Sequence, residues 1–250
     1  MDKRLLKLLA DNRRCAARRP LAVRALAADE AELFVYDVIV DSEIEAEWWG
    51  GIAPEAFVAA LRDVTAGTLH LRINSPGGSV FAARAMETAL REFRGRVVTH
   101  VDGLAASAAT LLAGAGAERV IAKGAQFMVH QAWTWLAGNA ADLRKMAELL
   151  DKTDAQLAES YADRTGNTAE QALAWMQAET WFTGREAVEA GFADRLAEDD
   201  ATAAQAAAWN LSAYGRAPRA QPPAPQPQPA PARVDAAALL RRLQASALPA

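Results

Sequence analysis

Three turns in this sequence hold groups that acyl transfer would need, and each turn follows a segment with the pattern of a β-strand. The first turn holds two adjacent glycines, Gly77 and Gly78, whose backbone N–H groups could bind a developing oxyanion. The second holds one hydroxyl, Ser107, beside the N–H of Ala108. The third holds an imidazole, His130, directly after three apolar residues. These turns are therefore candidates for an oxyanion site, a nucleophile and its base.

Each of these residues also has a simpler structural interpretation. A Pro-Gly-Gly sequence occurs in many strand-to-helix turns. Ser107 could cap the helix that follows it. His130, like His70 and His100, could be a packed histidine in or beside a strand. Spacing along the chain leaves both interpretations open.

The order of the predicted elements indicates how these turns would be brought together. Strands are predicted at 33–41, 68–73, 96–101, 120–121 and 127–130, and helices at 53–61, after 78, from 103, over 140–163 and over 185–190. In the helix after 78, we expect Phe81, Ala85, Met86 and Leu90 to share one face. Alternating strands and helices predict an α/β domain with a largely parallel sheet. Ligand sites in such sheets lie at the carboxyl ends of the strands, where all three turns would stand.

Four motifs in a fixed order resemble those of the ClpP-like serine peptidases, the peptidase S14 type. They are Ser-Pro-Gly-Gly at 75–78, Gly-Leu-Ala-Ala-Ser at 103–107, Met-Val-His-Gln at 128–131 and Glu-Ala-Val-Glu-Ala-Gly at 186–191. The resemblance covers residues 33–197. Its detail is most similar to the phage head maturation (prohead) proteases, through Val-Asp-Gly-Leu-Ala-Ala-Ser-Ala at 101–108 and Ala-Glu-Thr-Trp-Phe-Thr at 178–183.

The resemblance implies a fold and a set of site residues. The implied fold is the ClpP/crotonase-like spiral of ββα units, with the helix at 140–163 as its protruding handle. The implied roles are nucleophile for Ser107, base for His130, oxyanion donors for Gly78 and Ala108, substrate binding for Gly77, Gln131 and Trp133, and catalytic acid for Glu179. Well-studied members have aspartate at that last position, so Asp163 and Asp154 stay open as alternatives.

The function implied by the resemblance is ATP-independent serine endopeptidase activity on phage capsid or scaffold proteins, in a homo-oligomer that forms a ring. No cofactor or metal is implied. Three other functions remain open: a crotonase-like acyl-CoA enzyme, a relative of signal peptide peptidase A with Lys123 as base, and a non-catalytic scaffold or assembly protein on the same fold.

Composition sets the outer limits of these hypotheses. The chain has 250 residues, 52% of them hydrophobic, which is enough for one buried domain with appendages. A net charge of -4 gives no reason to expect nucleic-acid binding. Cys15 is the single cysteine, which excludes an intrachain disulfide. No apolar segment has the length of a membrane span. We therefore expect a cytoplasmic protein, in the host cytoplasm or the procapsid if a phage encodes it.

Three regions are expected along the chain. Residues 1–32 form a basic arm, which we expect to be solvated, and residues 33–199 form the peptidase domain. Residues 200–250 are rich in alanine, proline and glutamine, which predicts a disordered tail with a possible short helix near its end. We expect this tail to be dispensable for the chemistry.

Overall fold

The computed structural model describes residues 3–12, 21–198 and 209–218. Its strands are β1 (Arg24–Ala27), β2 (Glu30–Val35), β3 (Thr68–Ser75), β4 (Arg96–Ala106), β5 (Glu118–Ile121), β6 (Gln126–Val129), β7 (Thr180–Thr183) and β8 (Arg195–Leu196). Its helices are α1 (Lys3–Asn12), α2 (Glu43–Trp49), α3 (Pro54–Arg62), α4 (Val80–Glu92), α5 (Ala109–Ala113), α6 (Ala140–Thr165), α7 (Ala169–Gln177) and α8 (Gly184–Glu189).

The strands form a single sheet that is mostly parallel. The order is β1-β2-β3-β4-β5-β8, and β6 pairs with both β4 and β7. Only the β1–β2 and β6–β7 pairs among these are antiparallel. The predicted α/β fold with a largely parallel sheet is therefore confirmed.

Packing on the sheet follows from the apolar strands and from one stripe on each helix. The larger core includes fully buried Leu33, Leu71 and Ile73 of the central strands and Met86 of α4. The C-terminal half of α6 joins this core through its buried residues, whereas its N-terminal half is exposed, with Leu143 48% accessible. Helix α6 therefore begins away from the core and packs against it only near its end, as expected for the predicted helix at 140–163.

Several predicted elements have different limits in the structure. The strand expected over 33–41 ends at Val35 and leaves only an isolated bridge at Ile39. Strand β4 continues through residues 103–106, which were expected to begin a helix. In α4 the face is rotated from the expected one, since Phe81 and Ala85 are exposed while Met86 is buried.

The predicted termini differ most from the structure. Within the expected solvated arm, α1 buries Leu8 and Leu9 in a second core, and β1 pairs with β2. Within the expected disordered tail, Trp209 and Tyr214 are each only 7% exposed and belong to that same second core. Burial of these apolar residues stabilises both segments. The composition of the surrounding polar and proline-rich residues predicted that the segments would be unfolded. The rest of the predicted tail, from 219 onward, including its possible helix, lies outside the described residues.

No helix within the described ranges combines the length and the apolar character needed to cross a membrane.

Burial of His100 in the sheet is expected to make the free energy of unfolding depend on pH. The pKa of His100 is lowered from 6.5 to about 4, mainly by burial and also by the charges of Arg72, His70 and Arg195, while Glu118 acts in the opposite direction. Because the folded state disfavours the protonated ring, its contribution is present above pH 6.5 and is lost as the pH falls through about 4. We expect a loss of at most about 3 kcal/mol in the free energy of unfolding from this group.

The measurement is the free energy of unfolding from denaturant titrations between pH 7 and pH 4. The variant His100→Gln keeps a polar partner for His70, which lies 3.0 Å away across the strands. Its stability should fall less over this range than that of the wild type. Parallel curves for the two proteins would contradict the prediction.

Candidate active site

Ser107 lies in the turn between β4 and α5, with a strained backbone. Its φ is +54°, a left-handed value that few residues with a Cβ adopt. Its N–H donates to the carbonyl of Met128, 2.9 Å away. Its own carbonyl accepts from the hydroxyl of Thr110, 2.6 Å away, which in turn is 2.7 Å from the buried hydroxyl of Tyr161 on α6. Hydrogen bonds on both sides thus hold the backbone of Ser107 in a conformation that it would not keep alone.

His130 reaches Ser107 because β6 lies beside β4. Ala106 pairs with Met128 in this parallel ladder, so the residues that follow the two strands are neighbours. The Nε2 atom of His130 is 2.7 Å from Oγ of Ser107. With the proton on Nδ1, Nε2 can accept the hydroxyl proton. The structure therefore brings these two predicted residues together in the geometry of a nucleophile and its base.

This contact also decides between two interpretations of Ser107. Helix α5 begins at Ala109, and its cap makes no side-chain hydrogen bond. The Ser107 hydroxyl points to His130 and does not serve as the helix cap. Since α5 has only five residues, its dipole is small, and the N–H of Ala108 is the group that remains beside the nucleophile.

Residues 75–78 form a turn that packs directly on Ser107. Gly77 and Gly78 have φ values of +91° and +145°. The turn is fixed by Ser75, whose hydroxyl donates to the carbonyl of Asp37 at 2.6 Å and accepts from the N–H of Gly77 at 3.1 Å. Ile39 bonds to both sides of the turn, through the carbonyl of Gly77 and the N–H of Ser79. Within the described residues, the N–H groups of Gly78 and Ala108 donate to no backbone carbonyl, which leaves both available to an oxyanion.

Glu179 is close to His130 along the sheet, but its carboxylate forms its hydrogen bonds with other residues. In the antiparallel β6–β7 ladder Val129 pairs with Thr180, so one further step would place His130 opposite Glu179. The strand ends there, because Glu179 has a φ of +48°. Its carboxylate accepts from the N–H groups of Gly215 at 3.0 Å and Arg216 at 2.5 Å. The expectation that Glu179 is the hydrogen-bond partner of His130 is therefore corrected by this arrangement.

The two alternative acids have other positions. Asp163 is exposed on α6. Asp154 is buried, and it accepts from the N–H of Ala132 at 2.7 Å and from the amide of Gln131 at 2.8 Å. Burial raises the pKa of Asp154, while these two hydrogen bonds act in the opposite direction. Asp154 thus holds the chain just after His130 and does not bond to the ring.

A cavity of about 300 Å³ opens at the Ser107–His130 pair. Its walls carry Gly78 and Ala108 on one side and a mostly apolar surface from α6 and the segment after His130 on the other. The lining includes Trp133, Met146, Leu150, Leu157 and Tyr214. Of the residues expected to bind substrate, Trp133 lines this cavity, Gly77 packs behind Ser107, and the side chain of Gln131 turns to Asp154.

Sequence reasoning missed three residues that contribute to this site. Thr110 and Tyr161 fix the carbonyl of Ser107. Tyr214 lies with its ring at 90° to that of His130 and a centroid distance of 5.3 Å. A tyrosine and a tryptophan just before a proline-rich run were the available signal, because disordered segments contain few aromatic residues.

The sequence of this chain is similar to those of known proteases. A family model described as Clp protease matches residues 36–200. The ATP-dependent Clp protease proteolytic subunit 1 of Leifsonia xyli subsp. xyli is 35% identical over 159 residues, which cover 63% of this chain and 80% of the relative. Subunit 2 of Rhodococcus jostii is 39% identical over 130 residues, covering 51% and 67%, and subunit 1 of Corynebacterium jeikeium is 32% identical over 161 residues, covering 64% and 85%. Because the family model spans well over half of the sequence, this chain belongs to the Clp protease family, whose members are serine endopeptidases.

Proposed function

We propose that this chain hydrolyses peptide bonds by using Ser107 as nucleophile and His130 as general base. The observation that carries the proposal is the 2.7 Å contact between Oγ of Ser107 and Nε2 of His130 at the floor of an open cavity. A hydroxyl held at this distance from an imidazole can lose its proton as it attacks a carbonyl carbon. Membership of a family of serine endopeptidases supports the same reaction.

The proposed reaction has two symmetrical halves. Oγ of Ser107 bonds to the carbonyl carbon of the substrate while its proton moves to Nε2 of His130, and the carbonyl oxygen gains negative charge. The N–H groups of Gly78 and Ala108 donate to that oxygen. His130 then gives the proton to the leaving amine as the C–N bond breaks. Water repeats the sequence on the acyl-enzyme, its proton passing through His130 back to Ser107.

This proposal differs from the sequence-based one in the role of the carboxylates. Neither Glu179 nor Asp154 bonds to the His130 ring, and Asp163 is exposed. We therefore assign none of these three carboxylates as the hydrogen-bond partner of the His130 ring. Asp154 is instead a positioning residue for 131–132, and the role of Glu179 is treated in the next subsection.

The reaction is tested by labelling the full-length chain with a fluorophosphonate and by measuring turnover of short peptides without ATP. A Ser–His hydrolase is labelled at Ser107, whereas an acyl-CoA enzyme or a non-catalytic assembly protein is not. Peptide mapping of the labelled chain identifies the modified residue. Absence of label at Ser107, with no peptide turnover, would overturn the proposal.

We further infer that the natural substrates are capsid or scaffold proteins of a phage, cleaved without an ATPase. The support is the resemblance of 101–108 and 178–183 to the head maturation proteases. The relatives from Leifsonia and Rhodococcus are themselves called ATP-dependent, so the alternative is a separate ATPase partner. The test is co-expression with a phage capsid protein, taken from the genes beside this one where they encode it, with Ser107→Ala as control. Cleavage only with intact Ser107 and without an added ATPase supports the inference, and an uncut capsid protein contradicts it.

Exposed apolar residues motivate a prediction of self-association. Leu143 and Leu149 on α6 are 48% and 44% exposed, and Trp135 beside α6 is 53% exposed. A run of such side chains at one end of a helix is typical of an interface. We expect a homo-oligomer, in the ring form implied by the family resemblance, and light scattering at micromolar concentration should show a mass several times 26.7 kDa.

The double variant Leu143→Glu/Leu149→Glu places charge in this surface and should shift the distribution toward monomer. Arg62→Glu, a charge change at the end of α3, is the control and should leave the mass unchanged. A wild-type protein that stays at 26.7 kDa at all concentrations would contradict the prediction.

A further inference from the structure

Residues 209–218, which we name the C-terminal strap, lie against the candidate active site. Trp209 and Tyr214 are nearly buried and share a core cluster with Leu8 and Leu9 of α1 and with Met128 of β6. Met128 is also the residue whose carbonyl accepts from the N–H of Ser107. The strap therefore packs on the same strand end that carries the nucleophile and its base.

Tyr214 contacts two separate parts of the catalytic machinery. Its ring meets the imidazole of His130 in a T-shaped arrangement with 5.3 Å between centroids. Its hydroxyl donates to the carbonyl of Pro76, in the turn that presents Gly78. Tyr214 also lines the cavity together with Ser107. One side chain thus joins the proposed base to the proposed oxyanion turn.

The strap is held on both sides of Tyr214. On one side the carboxylate of Glu179 accepts from the backbone N–H groups of Gly215 and Arg216. On the other, the indole N–H of Trp209 donates to the side chain of buried Asn74, 2.9 Å away. Asn74 lies in β3, directly before the oxyanion turn.

Helix α1 adds a further anchor. The side chain of Asn12 donates to the carbonyl of Asn210 at 3.1 Å and accepts from the N–H of Asn210 at 2.6 Å. This paired hydrogen bond has the geometry of a short ladder and limits movement of the strap at its first residues. With anchors at both ends, the position of Tyr214 is fixed relative to the sheet.

We propose that Tyr214 of the C-terminal strap is a positioning residue that holds the His130 ring against the oxyanion turn, and that Glu179 is a positioning residue that acts through the strap. The inference rests on the proposed function of Ser107 and His130. It reverses the expectation that everything after residue 199 is dispensable for the chemistry. It also gives Glu179 an effect on activity without a bond to His130.

The size of the effect follows from geometry. An imidazole that loses a packed aromatic neighbour can turn about its side-chain bonds, and a displacement of about 1 Å at a reacting group costs about 100-fold in rate. Tyr214→Ala removes both contacts and should therefore lower the rate by about 100-fold. Tyr214→Phe keeps the ring and removes only the hydrogen bond to Pro76, so its rate should fall by no more than about fivefold.

The probe is diisopropyl fluorophosphate, which is too small to need the peptide-binding surface. Oγ of Ser107 bonds to phosphorus, fluoride leaves, and the serine proton passes to His130. The second-order rate constant reports how well the pair is arranged, and the final stoichiometry per chain reports how much protein is folded. Tyr214→Ala should react slowly but completely, and its kcat for a short peptide should fall by more than its KM rises.

A double-mutant cycle tests the role of Glu179. If Glu179 acts through the strap, Glu179→Ala combined with Tyr214→Ala should react no more slowly than the slower single variant. If Glu179 acts on His130 independently, the two losses should multiply, so that a loss of about 100-fold in each single variant becomes about 10⁴-fold in the double variant. Multiplying losses would overturn the part of the inference that concerns Glu179.

Ser212→Ala is the matched control within the strap. Ser212 is exposed and forms its hydrogen bonds through backbone atoms, with Asn210 and Lys7, so its rate constant should equal that of the wild type. A Tyr214→Ala variant that reacts at the wild-type rate, or faster, overturns the inference while the proposed function stands. A wild-type chain that fails to react at all overturns both.

Discussion

Replacing Ser107 by alanine is expected to lower peptide turnover by about 10⁴-fold or more, because it removes the hydroxyl that lies 2.7 Å from Nε2 of His130 and would attack the substrate. Fold stability should change little, since the backbone of residue 107 is held by hydrogen bonds from its own N–H and to its own carbonyl. The measurement is turnover of a short peptide, with the thermal midpoint determined on the same preparations.

A serine that does cap a helix provides the control for this variant. The hydroxyl of Ser42 accepts from the N–H of Glu45 at the start of α2. Ser42→Ala should cost about 1 kcal/mol of stability and leave turnover unchanged. Ser107→Ala should therefore lose turnover and keep its stability, whereas Ser42→Ala should lose stability and keep its turnover. If Ser107→Ala instead loses stability and keeps turnover, Ser107 has only a structural role.

The parts of this site that could be predicted from sequence are those encoded within one strand and the turn after it. Ser107, His130 and Gly78 each stand in the turn after a strand, and parallel pairing of β3, β4 and β6 brings the ends of those strands together. Nothing beyond strand order and strand direction was needed. Small errors in strand length, such as the extension of β4 to Ala106, did not affect the result.

The orientation of Glu179 could not be predicted in this way. The family pattern and the β6–β7 register both place this residue beside His130. The direction of its side chain depends on a left-handed backbone at 179 and on two N–H groups of a segment 36 residues further along the chain. A sequence motif specifies the residue type at a position. It does not specify which residues from another part of the fold will form hydrogen bonds with that side chain.

The strap was missed because composition was averaged over too long a window. Trp209, Leu211 and Tyr214 stand just before a run rich in proline, alanine and glutamine, and the whole region was assigned the character of that run. Yet each of these residues joins the second core. Burial of a single aromatic side chain contributes about 2 kcal/mol or more, enough to hold a short segment against a surface that the domain already presents.

Close packing between Gly77 and Ser107 gives the second large expected effect. A Cβ at residue 77 would lie 2.5 Å from the carbonyl oxygen of Ala106, 2.8 Å from Cβ of Ser107 and 3.0 Å from the N–H nitrogen of Ala108. These are backbone atoms and the first side-chain atom of the nucleophile, so none can rotate away. We expect Gly77→Ala to displace Ser107 and the proposed oxyanion donor Ala108 together, and to lower kcat/KM by about 100-fold or more.

Strain at a positive φ is a separate cost, and a second glycine allows the two effects to be distinguished. Gly50 has a φ of +86°, close to the +91° of Gly77, but an added Cβ there would meet nothing within 4 Å. Gly50→Ala should lose about 1–3 kcal/mol of stability from the backbone conformation alone and keep its activity. Gly77→Ala should lose comparable or greater stability and most of its turnover. A wild-type kcat/KM per folded site in both variants would contradict the prediction. It would mean that the turn at 75–78 does not pack directly on Ser107, and the proposed oxyanion site of Gly78 and Ala108 would lose its support.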